Sequence, residues 1–357
     1  LVTGDSESII LLWRVACPEE DLACPGEWLA RRPSQVMRLF QLLRIMFVKT
    51  EFPFDSSMLS VDVVPFLYVV FTQFRDSNKE LSLLALKILA NIFYSEPYSR
   101  KYLRLEWLLL LSSMVTRGKC LEERLLSHKI CQNALNTLGV VDYQLRSDVY
   151  ELFLPEKEPE VDLIMIHGLC GSVAYTWRQK DHSSNIVSDC WPKDWLYLDI
   201  PQPMRIIGID YPSSLMQFTG MIESLQVRAD RFKHQLEAAG VGRRPIVFIC
   251  HSMGGLLAKR WDIVHRYAAS RISYSCFHRS EQSFKLPSDE LLLLQLNEDF
   301  SKISEKIPVI VSMVETKESD LIGTLNARLN SVQWHSPSYG VVLNFLRDSI
   351  QEAMKRK

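Results

Sequence analysis

The chain has 357 residues, enough for about two domains. Apolar residues make up 47% and charged residues 23%, the balance of a globular protein, and the formal net charge is −1. That charge excludes a bulk field that would draw in nucleic acid or an anionic membrane, and the basic end Lys355-Arg356-Lys357 is too short to supply one. The eight cysteines, Cys17, Cys24, Cys120, Cys131, Cys170, Cys190, Cys250 and Cys276, form no C-x-x-C pair and no zinc-finger spacing with histidine. They read as free thiols of a reducing compartment, with no metal site. The chain opens on Leu1 and holds no run of 18 apolar residues; it reads as a fragment, a processed form or an incomplete gene model, ahead of which a targeting segment or anchor has room to stand.

Residues 1–150 carry helical periodicity. Arg38 to Phe47, Glu80 to Tyr94, Tyr102 to Met114 and Leu121 to Leu138 each place apolar residues at three- and four-residue spacing. No strict repeat period is present, so an armadillo-like stack and a plain helical bundle both fit. Pro155-Glu156-Lys157-Glu158-Pro159-Glu160 is polar with two prolines and reads as a linker over 151–160.

From 161 to 357 the pattern changes. Nearly continuous apolar runs at Val161–Ile166, Met204–Tyr211, Pro245–Cys250 and Pro308–Val314 predict strands buried on both faces. Helical segments near 219–239, 254–268, 289–305 and 340–355 separate or follow them. Alternating strands and helices predict a doubly wound, mostly parallel α/β domain.

One stretch of this half carries chemistry. Ile246 to Cys250, His251-Ser252-Met253 and Gly254-Gly255 read as a buried strand, a tight turn bearing a serine, and a helix start. This is the layout of the nucleophile elbow, G-x-S-x-G, in which the residues two before and two after the serine must be small. Gly254 meets the demand, and Cys250 stands where Gly is usual. His167-Gly168-Leu169 closes an earlier strand, as does the turn that lends an N–H to an oxyanion hole; the backbone N–H groups of Leu169 and Met253 are the expected donors.

A triad requires an acid and a histidine after the serine. His265 falls on the helix after Ser252, and His278 follows a strand predicted at Arg271 to Cys276 and comes early in chain order. His335, in the polar segment before the last helix, is the expected base. The expected acid is Glu315, directly after the strand 308–314, or Asp320 five residues on; the strand-end position favours Glu315. The predicted chemistry is acyl transfer from an ester through Ser252 to water or an alcohol.

Asp162 to Arg178, Cys190 to Tyr211 and Val247 to Leu257 resemble the serine-active-site-containing protein family, lipase-like members of the α/β-hydrolase superfamily, and the helical half resembles that family's armadillo-like region. The resemblance implies a phospholipid substrate, acyl-chain remodelling of phosphatidylglycerol, an effect on intracellular cholesterol transport, no cofactor, and a place at contacts between mitochondria and endoplasmic reticulum. It also implies membrane association through a segment ahead of the helical region. The family usually shows a Pro-His-His-Gly turn after the next strand; here Tyr274 to Ser280 takes its place without the Pro or the Gly. The rival expectation is a non-catalytic scaffold whose helical half docks a partner and whose hydrolase-shaped half only binds lipid.

Overall fold

The computed structural model describes residues 33–51, 63–94, 105–168, 170–179, 188–213, 225–260, 272–278, 290–304, 307, 309–314 and 337–355. The chain divides into two units, Leu1–Ser147 and Asp148–Lys357.

The described part of the first unit is helical: α1 (Pro33–Thr50), α2 (Val63–Phe74), α3 (Lys79–Tyr94), α4 (Leu105–Arg117) and α5 (Leu121–Thr137). The expected periodicity is realised. On α3, Leu81, Ala85, Leu86, Ile88, Leu89, Ile92 and Phe93 are buried, a stripe too wide for one neighbour. Accordingly α3 packs on α1, α2 and α5, and α5 packs on α3 and α4. Polar side chains tie the following loop to α5. The Lys129 ammonium, 1% exposed, donates to the carbonyls of Arg146 and Ser147, while Asn133 exchanges two hydrogen bonds with the backbone of Leu145.

The second unit holds a six-stranded sheet, β1 (Val149–Phe153), β2 (Val161–Ile166), β3 (Met204–Ile209), β4 (Ile246–His251), β5 (Ile272–His278) and β6 (Ile310–Val314), in the order β1-β3-β2-β4-β5-β6. Strand β1 is an antiparallel edge on β3; every other pairing is parallel. The helices are α6 (Val173–Thr176), α7 (Trp191–Asp199), α8 (Leu225–Ala238), α9 (Met253–Arg260), α10 (Glu290–Ser304) and α11 (Pro337–Lys355). Crossovers between parallel strands are right-handed, so a reversal of direction puts helices on opposite faces. The step from β2 to β3 runs one way along the sheet, and the steps from β3 to β4, β5 and β6 run the other. Packing agrees: α8 lies on α9 and α9 on α10, while Tyr339 of α11 meets Trp191 and Trp195 of α7 edge-on. A mixed sheet with helices on both faces in this strand order fits an α/β hydrolase.

Two readings of this half change. The sheet starts upstream of the linker expected at 151–160, because β1 begins at Val149 and Pro155–Glu160 is the loop joining β1 to β2 within the second unit. A five-residue edge strand next to a helical run carries little periodic signal of its own; its pairing with β3 makes it a strand. His278, expected just after a strand at Arg271 to Cys276, is the last residue of β5.

The N-terminal edge of the sheet is held by buried charge. Asp162 and Arg205 are register partners on β2 and β3, both at most 1% exposed, with Arg205 Nε donating to Asp162 Oδ1 at 2.8 Å. Arg205 Nη1 donates to the Ala239 carbonyl, Glu151 Oε2 lies 3.9 Å from the same nitrogen, and Arg244 Nε lies 3.8 Å from Asp162. Charge at the centre of a sheet edge persists only because it is shared in this way.

Candidate active site

The strand order contains one point where neighbouring strands send their connections in opposite directions, between β2 and β4. The crevice at the carboxyl ends of such a pair is where open α/β sheets bind ligands. Both sequence signals fall there. Ile166 pairs with Cys250 and with Ile209, so His167-Gly168, Asp210-Tyr211 and His251-Ser252 leave the sheet at one level.

Ser252 has φ of 50°, the left-handed region that a serine rarely occupies. The strain is imposed by the change from a strand buried up to Cys250 to helix α9 within one residue, and the Ser252 carbonyl accepts the N–H of Gly255 to close the turn. A Cβ at Gly254 would lie 2.6 Å from the carbonyl oxygens of both Ile166 and His167. Only glycine allows that approach, which seats the elbow on the end of β2. Cys250, at the other small position, is fully buried in β4. Met253 heads α9, where the N–H has no partner within the helix, as the expected oxyanion donor requires.

The second wall is the turn after β2. A Cβ at Gly168 would lie 2.8 Å from Cβ of Ser252 and 2.9 Å from the His251 carbonyl, so this turn is in contact with the elbow. Cys170 has φ of 55°, and with Ser252 it makes up the non-glycine residues of positive φ among the described residues. The Cys170 N–H donates to the Ser213 carbonyl at 2.8 Å, the Gly171 N–H donates to the Gly168 carbonyl, and the Ser213 hydroxyl donates to the Gly171 carbonyl. Two strained residues on facing turns are what a pre-organised site looks like in backbone terms.

The sequence singles out His167 only as part of this turn and gives Asp210 and Tyr211 no place in the site. His167 is fully buried and stacks on Tyr211 with centroids 4.3 Å apart. Its Nε2 accepts the Tyr211 N–H at 3.2 Å, which leaves the proton on Nδ1 to donate to the Gly168 carbonyl at 2.9 Å. The Tyr211 hydroxyl donates to the His167 carbonyl at 2.8 Å, and burial pushes the phenol up, so it stays a neutral donor. Asp210 Oδ1 accepts the Val173 N–H and lies 3.3 Å from His167 Nε2. The signal available in the sequence was the position of His167 and of Asp210-Tyr211, each directly after a buried strand.

The stretch from Cys190 to Tyr211, which carries Trp191 and Trp195, has a structural task. Trp191 and Trp195 of α7 are buried against Tyr339 of α11, whose hydroxyl donates to Asp199 at 2.7 Å. This fixes the last helix on the sheet. Of the expected site residues, Ser252 meets the turn that carries Gly168, and Met253 follows it at the head of α9. Leu169, Glu315, Asp320 and His335 lie outside the described residues. Among the described residues no cluster of histidine, cysteine, aspartate or glutamate could hold a metal ion, and no helix is long and apolar enough to cross a membrane.

No protein-family model matches the chain. Protein SERAC1 of Bos taurus is 30% identical over 197 residues, covering 49% of this chain and 29% of that protein. Protein SERAC1 of Homo sapiens is 30% identical over 192 residues with the same shares, and that of Danio rerio 28% over 208 residues, 53% of this chain and 31% of that protein. The match thus spans less than a third of the length of these curated relatives. Among solved structures, the inhibited esterase B of Lactobacillus rhamnosis aligns over 70% of this chain and 97% of its own at 12% identity, with a TM-score of 0.29, below the level at which two folds are the same. Over about half its length the chain is similar to Protein SERAC1 at about 30% identity.

Proposed function

We propose that the chain is a serine-dependent acyl hydrolase or transacylase acting on lipid esters, with Ser252 as nucleophile. The observation that carries this reading is the strained Ser252 at the sheet's switch point, pressed against the Gly168 turn and standing at the head of α9. A histidine later in the chain takes the hydroxyl proton as Oγ bonds to the ester carbon. The carbonyl electron pair moves onto oxygen, which the N–H groups of Met253 and Leu169 receive; each such donor is worth about 3 kcal/mol. Collapse of the intermediate breaks the ester C–O bond, the leaving alkoxide takes the proton back, and water or a second alcohol then accepts the acyl group.

The likeness to Protein SERAC1 supports a phospholipid substrate, with phosphatidylglycerol remodelling, an effect on cholesterol transport and action at contacts between mitochondria and endoplasmic reticulum as the finer reading. The packing of α3 on both α1 and α5 supports an armadillo-like stack for the helical unit. Two measurements test the function. A fluorophosphonate should label the wild type at Ser252 and not Ser252→Ala; an intact fold with no labelling leaves only the non-catalytic scaffold. Lipid profiles of cells carrying Ser252→Ala should shift in phosphatidylglycerol acyl composition, and unchanged species would remove the remodelling role.

A further inference from the structure

The segment that leaves the Gly168 turn is short of hydrogen-bond acceptors. Three successive residues, Thr176, Trp177 and Arg178, each keep a buried polar atom, Oγ1, Nε1 and Nε, that has no hydrogen-bond partner. All three can donate, Trp177 is only 3% exposed, and a buried donor left unmade costs the desolvation of its group. Arg178 adds a charge to this shortage. Its guanidinium lies 3.8 Å from the centroid of the Tyr175 ring, and among the described residues no carboxylate stands within ion-pair distance of it. Arginines elsewhere in the sheet unit are paired: Arg205 and Arg244 face Asp162, and Arg231 meets Asp148. Stacking on an aromatic face holds a guanidinium flat and leaves its Nη donors for an oxyanion, which it grips by two oxygens at once.

The segment is tied to the candidate site through α6. A Cβ at Gly171 would lie 2.6 Å from Thr176 Oγ1 and 3.1 Å from the Gly168 carbonyl, so the end of α6 folds back on the turn that touches Ser252. The four residues of α6 advance about 6 Å, which keeps Arg178 beside that turn. We infer that Arg178 is the charge partner of a phosphate carried by the lipid ester, a headgroup subsite one short helix away from the nucleophile. The inference deepens the acyl-transfer reading of Ser252 and rests on it. A glycerol that bears both a scissile ester and a phosphodiester offers its carbonyl to Ser252 and its anion to Arg178; a neutral acylglycerol offers only the carbonyl. With a formal net charge of −1 the chain supplies no bulk attraction for an anion, so selection falls to a placed cation. Consecutive side chains do not face one another, so Arg178 alone is assigned to the phosphate, while Thr176 and Trp177 mark the segment as one that lacks acceptors.

The test uses the full chain in two formats. In the first, kcat/KM is measured on a short-chain phosphatidylglycerol and on the diacylglycerol with the same acyl chains. The wild type should prefer the phospholipid, and Arg178→Gln should lower that preference about tenfold, through KM, the size of a lost charged hydrogen bond. Arg178→Lys keeps the charge without the fork and should recover part of it. Lys157→Gln, the same charge change at an exposed site between β1 and β2, should leave the preference as it is. Folding of each variant is checked by circular dichroism and urea midpoint. The second format titrates Ser252→Ala with the same two lipids and with inorganic phosphate by calorimetry, and needs no turnover. Phosphatidylglycerol should bind more tightly than diacylglycerol, and adding Arg178→Gln should remove the difference. An equal loss on both lipids would make Arg178 a structural residue, and an unchanged preference would take it out of the site. Inorganic phosphate binding through Arg178 without any preference between the lipids would make the ligand a free anion. Each of these overturns the headgroup assignment. If the wild type turns over neither lipid, the acyl-transfer reading falls on its own, and the Ser252→Ala titration still decides whether Arg178 reads a lipid phosphate.

Discussion

The two units put buried polar groups to different uses. In the helical unit they tie elements together: Lys129 and Asn133 bond the backbone of the loop after α5, and the Asn91 amide donates to the Thr50 hydroxyl between α3 and α1. No described non-glycine residue there has positive φ. In the sheet unit the polar groups divide between two ends. The Asp162–Arg205 cluster neutralises itself at one edge, and at the other edge Ser252 and Cys170 are strained beside a turn that His167 and Tyr211 hold. Strain located at one end of one unit marks where chemistry is done, while paired polar groups elsewhere mark where shape is held.

The largest way to break this contrast is Arg205→Met, which removes the cation shared by Asp162 and Glu151 and leaves Arg244, 3.8 Å from Asp162, as the remaining one. It should cost the sheet unit about 3–5 kcal/mol in urea unfolding, and adding Asp162→Leu should recover most of that. Next is Gly254→Ala, whose Cβ must displace the backbone carbonyls of Ile166 and His167; a loss of about 2–3 kcal/mol is expected together with loss of fluorophosphonate labelling. Lys129→Met should cost about 2 kcal/mol through two orphaned carbonyls, with labelling of Ser252 unchanged per folded molecule. Loss of labelling there would mean that the two units are not independent in function.

The smallest effect sharpens the site. Tyr211→Phe removes one hydrogen bond to the His167 carbonyl, about 1 kcal/mol, and should slow labelling through a looser Gly168 turn. The same variant tests a pH dependence. Burial raises the Tyr211 phenol, and burial with the Asp199 carboxylate raises that of Tyr339. Groups raised in the folded state contribute stability that is complete below the unfolded value of about 10 and is lost as pH climbs beyond it. Stability should therefore fall above about pH 10, and less steeply in Tyr211→Phe. An unchanged alkaline slope would show that the buried phenol does not contribute.

What the sequence by itself determined is local. Periodicity marked the helices of the first unit, continuous apolar runs marked β2, β3, β4 and β6, and the small residue at Gly254 marked a turn too tight for a side chain. Each depends on sterics within a few residues. Tertiary structure decided the rest, because it depends on which strands become neighbours. Pairing with β3 made Val149–Phe153 a strand and moved the boundary ahead of the expected linker. Register matched Asp162 with Arg205. The switch between β2 and β4 brought the Gly168 turn against the serine. Distances across strands are set by sheet order, and no spacing along one chain encodes that order.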